Sequence, residues 1–379
     1  MDLQKKIDET YSTVAEQTQE KLVLSNKGSA LNAVLSFYET WLQTKYNGPF
    51  SAEEGAQELE EIFKVQPWTQ DDITQFSLAI ENYQGKTFPT IPVVMWGRNL
   101  GLLKSNFVQT GHFISKLINI HYEQEQTKKE YVLFTQILQK KLDYLCFKNK
   151  GASVLIQGDV GDHACSGMEE GKVIINGNAQ DYLCSSMING FVQLCGHAHF
   201  RAGNNMKNGL LLIDKWANSF LAERAKGGQI IVRGDSGDYA GFRLDGASVL
   251  VKGDVMNYLG AEMKKGEILI EGNANSYIGR RMCSGTIIVR KNAGLQCGLE
   301  MSGGEISIYG NADSDMGYKM KDGIIHIFGH AGERTGHNML AGAIHLEGTY
   351  EKSKWINCTG TVYHKEKCIK KARKRKDLL

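Results

Sequence analysis

Proline is scarce in this chain, at 4 of 379 residues, and no run of eighteen apolar residues occurs that would predict a membrane-spanning helix. The low proline content argues against a collagen-like or linker-rich chain. The sequence also lacks C-x-x-C pairs, a G-x-x-x-x-G-K-[ST] phosphate loop and a G-x-S-x-G nucleophile motif. These absences remove the usual signatures of zinc ribbons, P-loop nucleotide sites and serine hydrolases.

An export signal is missing as well, because the first thirty residues carry charges throughout and no apolar core. We therefore expect a cytoplasmic protein with no transmembrane segment, whose eight cysteines are reduced. Cys165 and Cys184 fall at the same place in successive repeats, so a disulfide between them is an alternative to two stacked thiols.

Glycine, by contrast, is abundant at 42 of 379 residues, and much of it belongs to an internal repeat between 151 and 350 with a period of nineteen. The unit reads G-x-φ-x-φ-x-G-(N/D/H)-A-x-x-x-x-G-x-x-M-x-x, where φ is Val, Ile or Leu. The units that begin at Gly151 and Gly246 are one residue longer, and the unit that begins at Gly228 is one residue shorter. A fixed period of this length is typical of a stacked-repeat architecture.

The alternation around each pair of φ residues has the period of a β-strand, and the glycines that follow suit turns, at which Gly and Asn tolerate left-handed geometry. Such a unit is too short for a helix pair or a propeller blade. The repeat therefore predicts a parallel β-helix (β-solenoid) of ten to eleven turns, with the aliphatic pairs and a column of methionines inside. Eight of the twelve methionines occupy that one place in the unit.

Residues 1–150 show no such period, and their apolar residues recur at helical spacing, for example in segments 107–120 and 128–147. We therefore predict an α+β multidomain protein: an all-α helical domain at 1–150, the β-helix at 151–350, and a cap strand with a basic tail at 351–379. The helical domain is well placed to cover the first turn, and residues 359–365 to cover the last. The tail, from Lys365 onward, is expected to be mobile or weakly helical.

Catalytic chemistry has little support in the sequence, and we predict neither catalytic residues nor cofactors. His326 and His345 share one outward place on adjacent turns, and His337 lies on the same turn as His326. Metal binding needs convergent His, Cys or carboxylate ligands. These three histidines are weak metal candidates, and stacked imidazoles on a solvated face are the commoner arrangement.

Interaction candidates come from irregular turns and from the tail. Lys215 and Lys291 replace a corner glycine, and Trp216 stands where Asn or Asp is usual. A large aromatic side chain at a corner is a possible contact point, with local packing as the alternative. Residues 351–379 hold ten basic and three acidic side chains, and the basic ones include four further candidates: Lys370, Lys371, Arg373 and Arg375.

The repeat resembles the GXGXG domain, most clearly in GEILIEGNANSYIGRRMCSG (266–285) and GEISIYGNADSDMGYKMKDG (304–323). That domain forms the C-terminal part of the glutamate synthase large subunit and most of one subunit of formylmethanofuran dehydrogenase. The resemblance covers about 200 of 379 residues. It implies a right-handed parallel β-helix with a scaffolding role, since catalysis in these families belongs to other domains or subunits.

Two hypotheses of function follow. The first is a non-catalytic scaffold or assembly subunit in a hetero-oligomeric complex. It would present the β-helix surface to an enzyme partner of formylmethanofuran dehydrogenase or glutamate synthase type, with a homodimer also possible. The second is a stand-alone binding protein whose basic tail engages nucleic acid, an anionic membrane or an acidic partner. An enzyme that uses the helical domain or the β-helix face remains a third alternative.

Overall fold

The structure is a computed structural model that describes residues 105–125, 130–136, 138, 140–351 and 357–371, together with Ile73. The chain divides into two compact units, Met1–Phe76 and Ser77–Leu379. Everything below concerns the second unit. The predicted helices before residue 105 lie outside the described residues, as do Arg373 and Arg375.

The described elements are one helix followed by strands. Helix α1 spans Ser105–Glu125, in agreement with the helix predicted near 107–120. The strands are β1 Glu130–Phe134, β2 Lys150–Gln157, β3 Glu170–Asn176, β4 Phe191–Leu194, β5 Leu210–Ile213, β6 Gln229–Val232, β7 Asp245–Val251, β8 Lys265–Ile270, β9 Thr286–Val289, β10 Ser302–Ile308, β11 Asp322–Ile327, β12 Ala343–Leu346, β13 Thr361–His364 and β14 Lys367–Lys370.

All fourteen strands form one sheet in sequence order. Neighbours from β1 to β13 pair in parallel, and only β14 is antiparallel, to β13. This is a β-solenoid of about 12 turns, as the repeat predicted, but longer than the expected ten to eleven. The extra length comes from both ends of the repeat. Strand β1 lies in segment 128–147, for which the helical prediction was wrong, and β13 follows residue 350.

The register is more uniform than the sequence suggested. Gln229 pairs with Ser248 and Ser248 with Glu267, so both steps keep the period of nineteen. The apparent short and long units arise because Gly246 lies in a local irregularity and Ala247 takes the place of the first glycine. A similar shift precedes Ser153. We therefore number positions 1 to 19 from Gly171, and residues of successive turns at one position form a column.

The interior consists of the predicted columns. The aliphatic residues at positions 3 and 5 are buried in every turn, and the eight methionines at position 17 are completely buried, as predicted. In two turns position 17 holds Ala225 and Leu244, which are buried too. The alanine column at position 9 adds isolated parallel bridges from turn to turn, such as Ala274 to Ala293. Strand-like stacking therefore continues around the corner of each turn.

Both ends of the solenoid are covered. Helix α1 lies against the first turn, where the Ser115 hydroxyl donates to the carbonyl of Tyr144 (2.9 Å) and the Asn119 amide donates to the carbonyl of Lys148 (3.0 Å). These bonds satisfy backbone groups that an open end would leave unpaired. At the other end β13 covers the last turn, as predicted, and the exposed β14 follows it.

Strand β14 changes the interpretation of the basic tail. Residues Lys367–Lys370 form an edge strand rather than a mobile or weakly helical segment, so that expectation was wrong for them. Lysines on an edge strand discourage pairing with another chain. Lys370 and Lys371 are therefore placed where their charge protects the end of the sheet.

Candidate functional site

The corner at position 8 explains why the repeat uses Asn or Asp there. The Asp254 carboxylate accepts the backbone N–H of Asn273 (2.7 Å), and the Asn273 amide oxygen accepts that of Asn292 (3.2 Å). The Asn and Asp side chains at position 8 thus serve the turn that follows, and no position-8 residue among those described has a positive φ. The left-handed geometry expected for this corner is therefore wrong; these residues act as hydrogen-bond acceptors for the next turn.

This column of acceptors is interrupted over two successive turns, at His197 and Trp216. The column runs from Asp159 through Asn178, whose side chain accepts the N–H of His197 (2.9 Å), and it resumes at Asp235. Between them the Trp216 indole lies over His197, with ring centroids 4.7 Å apart. An indole has no acceptor to offer the next turn, and His197 Nδ1 is buried without a hydrogen-bond partner. The irregular turn thus gives up local hydrogen bonds and presents an aromatic side chain that is 41% exposed.

Apolar and acidic side chains surround Trp216. We define the turn face as positions 8 to 11 of the ten turns from Asp159 to Glu333. Phe200 is 38% exposed and Met256 is 56% exposed on this face. The turn face contains no Lys or Arg and carries eight carboxylates: Asp159, Asp162, Asp181, Asp235, Asp238, Asp254, Asp313 and Glu333. It is therefore an acidic surface with an apolar centre near Trp216.

Lys215 and Lys291 occupy position 7 and are both exposed, but they lie four turns apart, so the structure does not bring them together. Lys215 adjoins Trp216 at the border of the turn face. Position 7 is glycine in most turns, because a Cβ at Gly272 would lie 2.3 Å from the carbonyl oxygen of Gly253 on the preceding turn. At Lys291 the N–H still reaches the carbonyl of Gly272, at 3.3 Å.

Position 12 carries an aromatic column that the sequence analysis missed. Tyr239 stacks on Tyr258 and Tyr258 on Tyr277, with centroids 4.6 and 4.7 Å apart. The column is Tyr144, His163, Tyr182, Arg201, Phe220, Tyr239, Tyr258 and Tyr277. The available signal was the recurrence of aromatic residues five places before Met in successive units. Because each ring covers its neighbour, these ring faces are not free to stack on a ligand.

His112 of α1 extends this column at the N-terminal end. Its ring stacks on Tyr144 at 4.2 Å and meets Phe147 edge-on at 4.7 Å. Burial, helped by the nearby His163 and Lys148, lowers the pKa of His112 from 6.5 to about 4. The folded protein therefore favours the neutral imidazole, whereas the unfolded chain protonates it below about pH 6.5.

This difference predicts a pH dependence of stability. His112 contributes stability that is fully present above pH 6.5 and is lost as the pH falls through about 4. Allowing for partial exposure, we expect the loss to be about 2 kcal/mol. Urea unfolding of the wild type and of His112→Phe at pH 7, 5 and 4 would measure it. The variant should lose about 2 kcal/mol less than the wild type over this range, and parallel losses would contradict the assignment.

The metal candidates separate into two places. The rings of His326 and His345 stack at 4.7 Å, and His345 stacks in turn on Tyr363. His337 instead approaches Tyr318 edge-on and belongs to a different column. Burial and the neighbouring His326 lower the pKa of His345. Within the described part of the chain, no three His, Cys, Asp or Glu residues are arranged to hold a metal ion.

The cysteines are free throughout the described residues, so Cys165 and Cys184 are not joined by the alternative disulfide. Together with Cys146 they form a buried column at position 14. A hydrogen bond with the Cys165 thiol, together with burial, raises the pKa of Cys146 well above its ordinary range. Such a thiol is a packing group rather than a nucleophile.

The outer face of the sheet presents a second distinctive surface. Position 4 points outward and is aliphatic in five consecutive turns, at Leu212, Ile231, Leu250, Leu269 and Ile288. We call these five residues the aliphatic stripe. An open groove of about 430 Å³ runs along it over β6–β9. Polar residues border the stripe, with Gln229, Ser248, Glu267 and Thr286 on one side and Arg233, Lys252, Glu271 and Arg290 on the other.

Comparisons with known proteins add no identification. No family model matches the chain, and no curated protein matches it either. Among the described residues, no helix has the length and apolar character needed to cross a bilayer.

Proposed function

We propose that this protein is a non-catalytic scaffold or assembly subunit that binds an enzyme partner through the turn face around Trp216. The observation that carries the proposal is the interruption of the acceptor column at Trp216. There the fold gives up hydrogen bonds that the turns with Asn or Asp at position 8 make, and it exposes an indole instead. Exposed aromatic residues in such settings are frequent centres of protein–protein binding energy.

The surroundings of Trp216 define the surface that a partner needs. Phe200 and Met256 enlarge the apolar centre, and carboxylates such as Asp181 and Asp235 border it. Since the turn face holds no cation, a complementary partner presents an apolar pocket for the indole with lysines or arginines around it. The partner type that the repeat's resemblance implies is an enzyme of the formylmethanofuran dehydrogenase or glutamate synthase kind.

The scaffold role also agrees with the state of the chemically active side chains. His326 and His345 stack on one another, the position-8 carboxylates accept backbone hydrogen bonds, and the Cys146 thiol is buried. In each of these three columns, the group that a catalyst would use is already engaged in packing or hydrogen bonding between successive turns.

A copurification experiment tests the proposal. Tagged wild type, Trp216→Ala and Leu295→Ala would be isolated from native extract, and the affinity for the captured enzyme measured. Leu295 is the matched control, since it lies on the same turn face four turns away and is 40% exposed. We expect Trp216→Ala to weaken binding at least about tenfold and Leu295→Ala to leave it unchanged. Equal binding by all three proteins, or no enzyme partner at all, would overturn the proposal.

A further inference from the structure

No element among the described residues covers the aliphatic stripe, although both faces of a parallel sheet are normally covered. The inner face is covered by the solenoid core. On the outer face, side chains of one column stand about 4.8 Å apart and shield each other's flanks, which leaves their tips as a flat apolar surface. The groove over β6–β9 is open along Ile231, Leu250, Leu269 and Ile288.

The apolar character of this face continues past the stripe toward the C-terminal end. Tyr309, Ile324 and Phe328 point outward there and are 44%, 38% and 41% exposed. The stacked rings of His326, His345 and Tyr363 continue the position-4 column across β11, β12 and β13. The position-4 column is therefore aliphatic from β5 to β9 and, after Ser307 on β10, consists of stacked rings from β11 to β13.

We propose that this face pairs with the same face of a second copy of the chain, so that the protein is a homodimer of two solenoids packed sheet to sheet. Nine strands at about 4.8 Å and five residues at about 3.3 Å give a face of roughly 700 Å². A standard stable interface buries about 800 Å² on each partner. At the crossing of about 30° that packed sheets adopt, the two faces overlap over roughly 500 Å² each, which places the dimer at the low end of specific interfaces.

A two-fold axis brings opposite borders of the two stripes together. When that axis is parallel to the solenoid axis, each turn of one copy faces the same turn of the other. Position 4 then meets position 4, and position 2 of one copy meets position 6 of the other. Gln229, Ser248 and Thr286 then face Arg233, Lys252 and Arg290 of the same turns. On β6, β7 and β9 an uncharged polar side chain of one copy thus lies against a cation of the other.

Glu267 is the decisive residue of this arrangement. In strict register it would meet the like charge of Glu271. Face-to-face sheets, however, pack with their strands about 30° apart, which displaces a border two residues from the stripe by roughly 3 Å along the solenoid axis. On either side of Glu271 stands a cation, Lys252 or Arg290, so a shift in either direction moves Glu267 away from Glu271 and toward a side chain of opposite charge.

The first test measures the oligomeric state by sedimentation equilibrium over a micromolar concentration series. Wild type is expected to be dimeric. The pair Leu250→Asp and Leu269→Asp should raise the dimer dissociation constant at least about 100-fold. The matched control, Leu295→Asp, places a carboxylate on the turn face and should leave the dimer intact. A monomeric wild type, or a dimer indifferent to the stripe variants, overturns the proposal.

The second test examines the charge pairing without touching the apolar centre. Glu267→Lys should weaken the dimer about tenfold, and so should Lys252→Glu with Arg290→Glu. Combining all three changes should restore the wild-type constant. If the dimer of the combined variant is weakened by the separate effects added together, the two borders do not face each other as proposed.

The dimer and the scaffold function rest on different surfaces, so their failures can be distinguished. A monomer that still binds its enzyme partner through Trp216 removes the dimer and leaves the proposed function. A dimer that captures no enzyme partner removes the proposed function and leaves the dimer.

Discussion

Replacing Ile175 by Asp is expected to destabilise the folded protein by several kcal/mol. Ile175 is completely buried at position 5, between Ile156 and Leu194 of the neighbouring turns. A carboxylate there would lose its hydration without gaining a partner, because the interior columns are aliphatic. Urea unfolding followed by circular dichroism would measure the loss.

The control is the adjacent residue. Ile174 has the same side chain in the same strand, but it points to the outer face and is partly exposed. Ile174→Asp should cost less than about 1 kcal/mol, since its carboxylate stays in water. Similar losses at the two sites would mean that the inward and outward positions of the repeat are assigned incorrectly.

Gly272→Ala is expected to cost more than about 2 kcal/mol although it adds one methyl group. The reason is space rather than backbone conformation. A Cβ at Gly272 would lie 2.3 Å from Asp254 Oδ1 and 2.3 Å from the carbonyl oxygen of Gly253. Neither the backbone of the preceding turn nor its capping carboxylate can move without disturbing the column. Thermal and urea unfolding would both report the change.

Gly167→Ala provides the opposite case. Gly167 has φ +63°, in the left-handed region, but a Cβ there would meet only the Lys148 side chain at 3.4 Å. Its replacement should cost about 1 kcal/mol, which is the strain of left-handed geometry for alanine. If Gly167→Ala were the more damaging change, backbone conformation and not the approach of turns would govern the repeat's glycines.

The sequence was sufficient for the stacked architecture, because aliphatic pairs such as Ile268 and Ile270 recur in every unit and their spacing leaves one periodic solution. It was insufficient for the end of the repeat at β1. Residues 130–134, EYVLF, show no glycine corner, and their apolar spacing fits a helix as well as a strand. Only pairing with β2 decides between the two, and pairing is a tertiary interaction.

The candidate site was predictable in part. Trp216 was identified because it departs from a regular pattern. The structure shows the physical consequence of that departure, which is an interruption of the acceptor column. The aliphatic stripe was not recognised, since an outward Leu or Ile in a single unit is unremarkable. It becomes a surface only when the register places Leu250, Leu269 and Ile288 side by side. The aromatic column was not recognised in the sequence for the same reason.

The hydrogen bonds at position 8 run in one direction, from each side chain to the backbone of the following turn. Every described turn with Asn or Asp at position 8 therefore offers the same support to its successor, and His197, Trp216 and His330 break the series. Residues 266–284 form one complete unit of this kind, and without them Lys265 would meet Gly285 with all columns still aligned. Gain or loss of whole turns therefore leaves the cross-section of the solenoid unchanged. The length of the solenoid is thus the property that this fold can change most freely. The helical cover at one end and the lysine-bearing strand at the other stay the same.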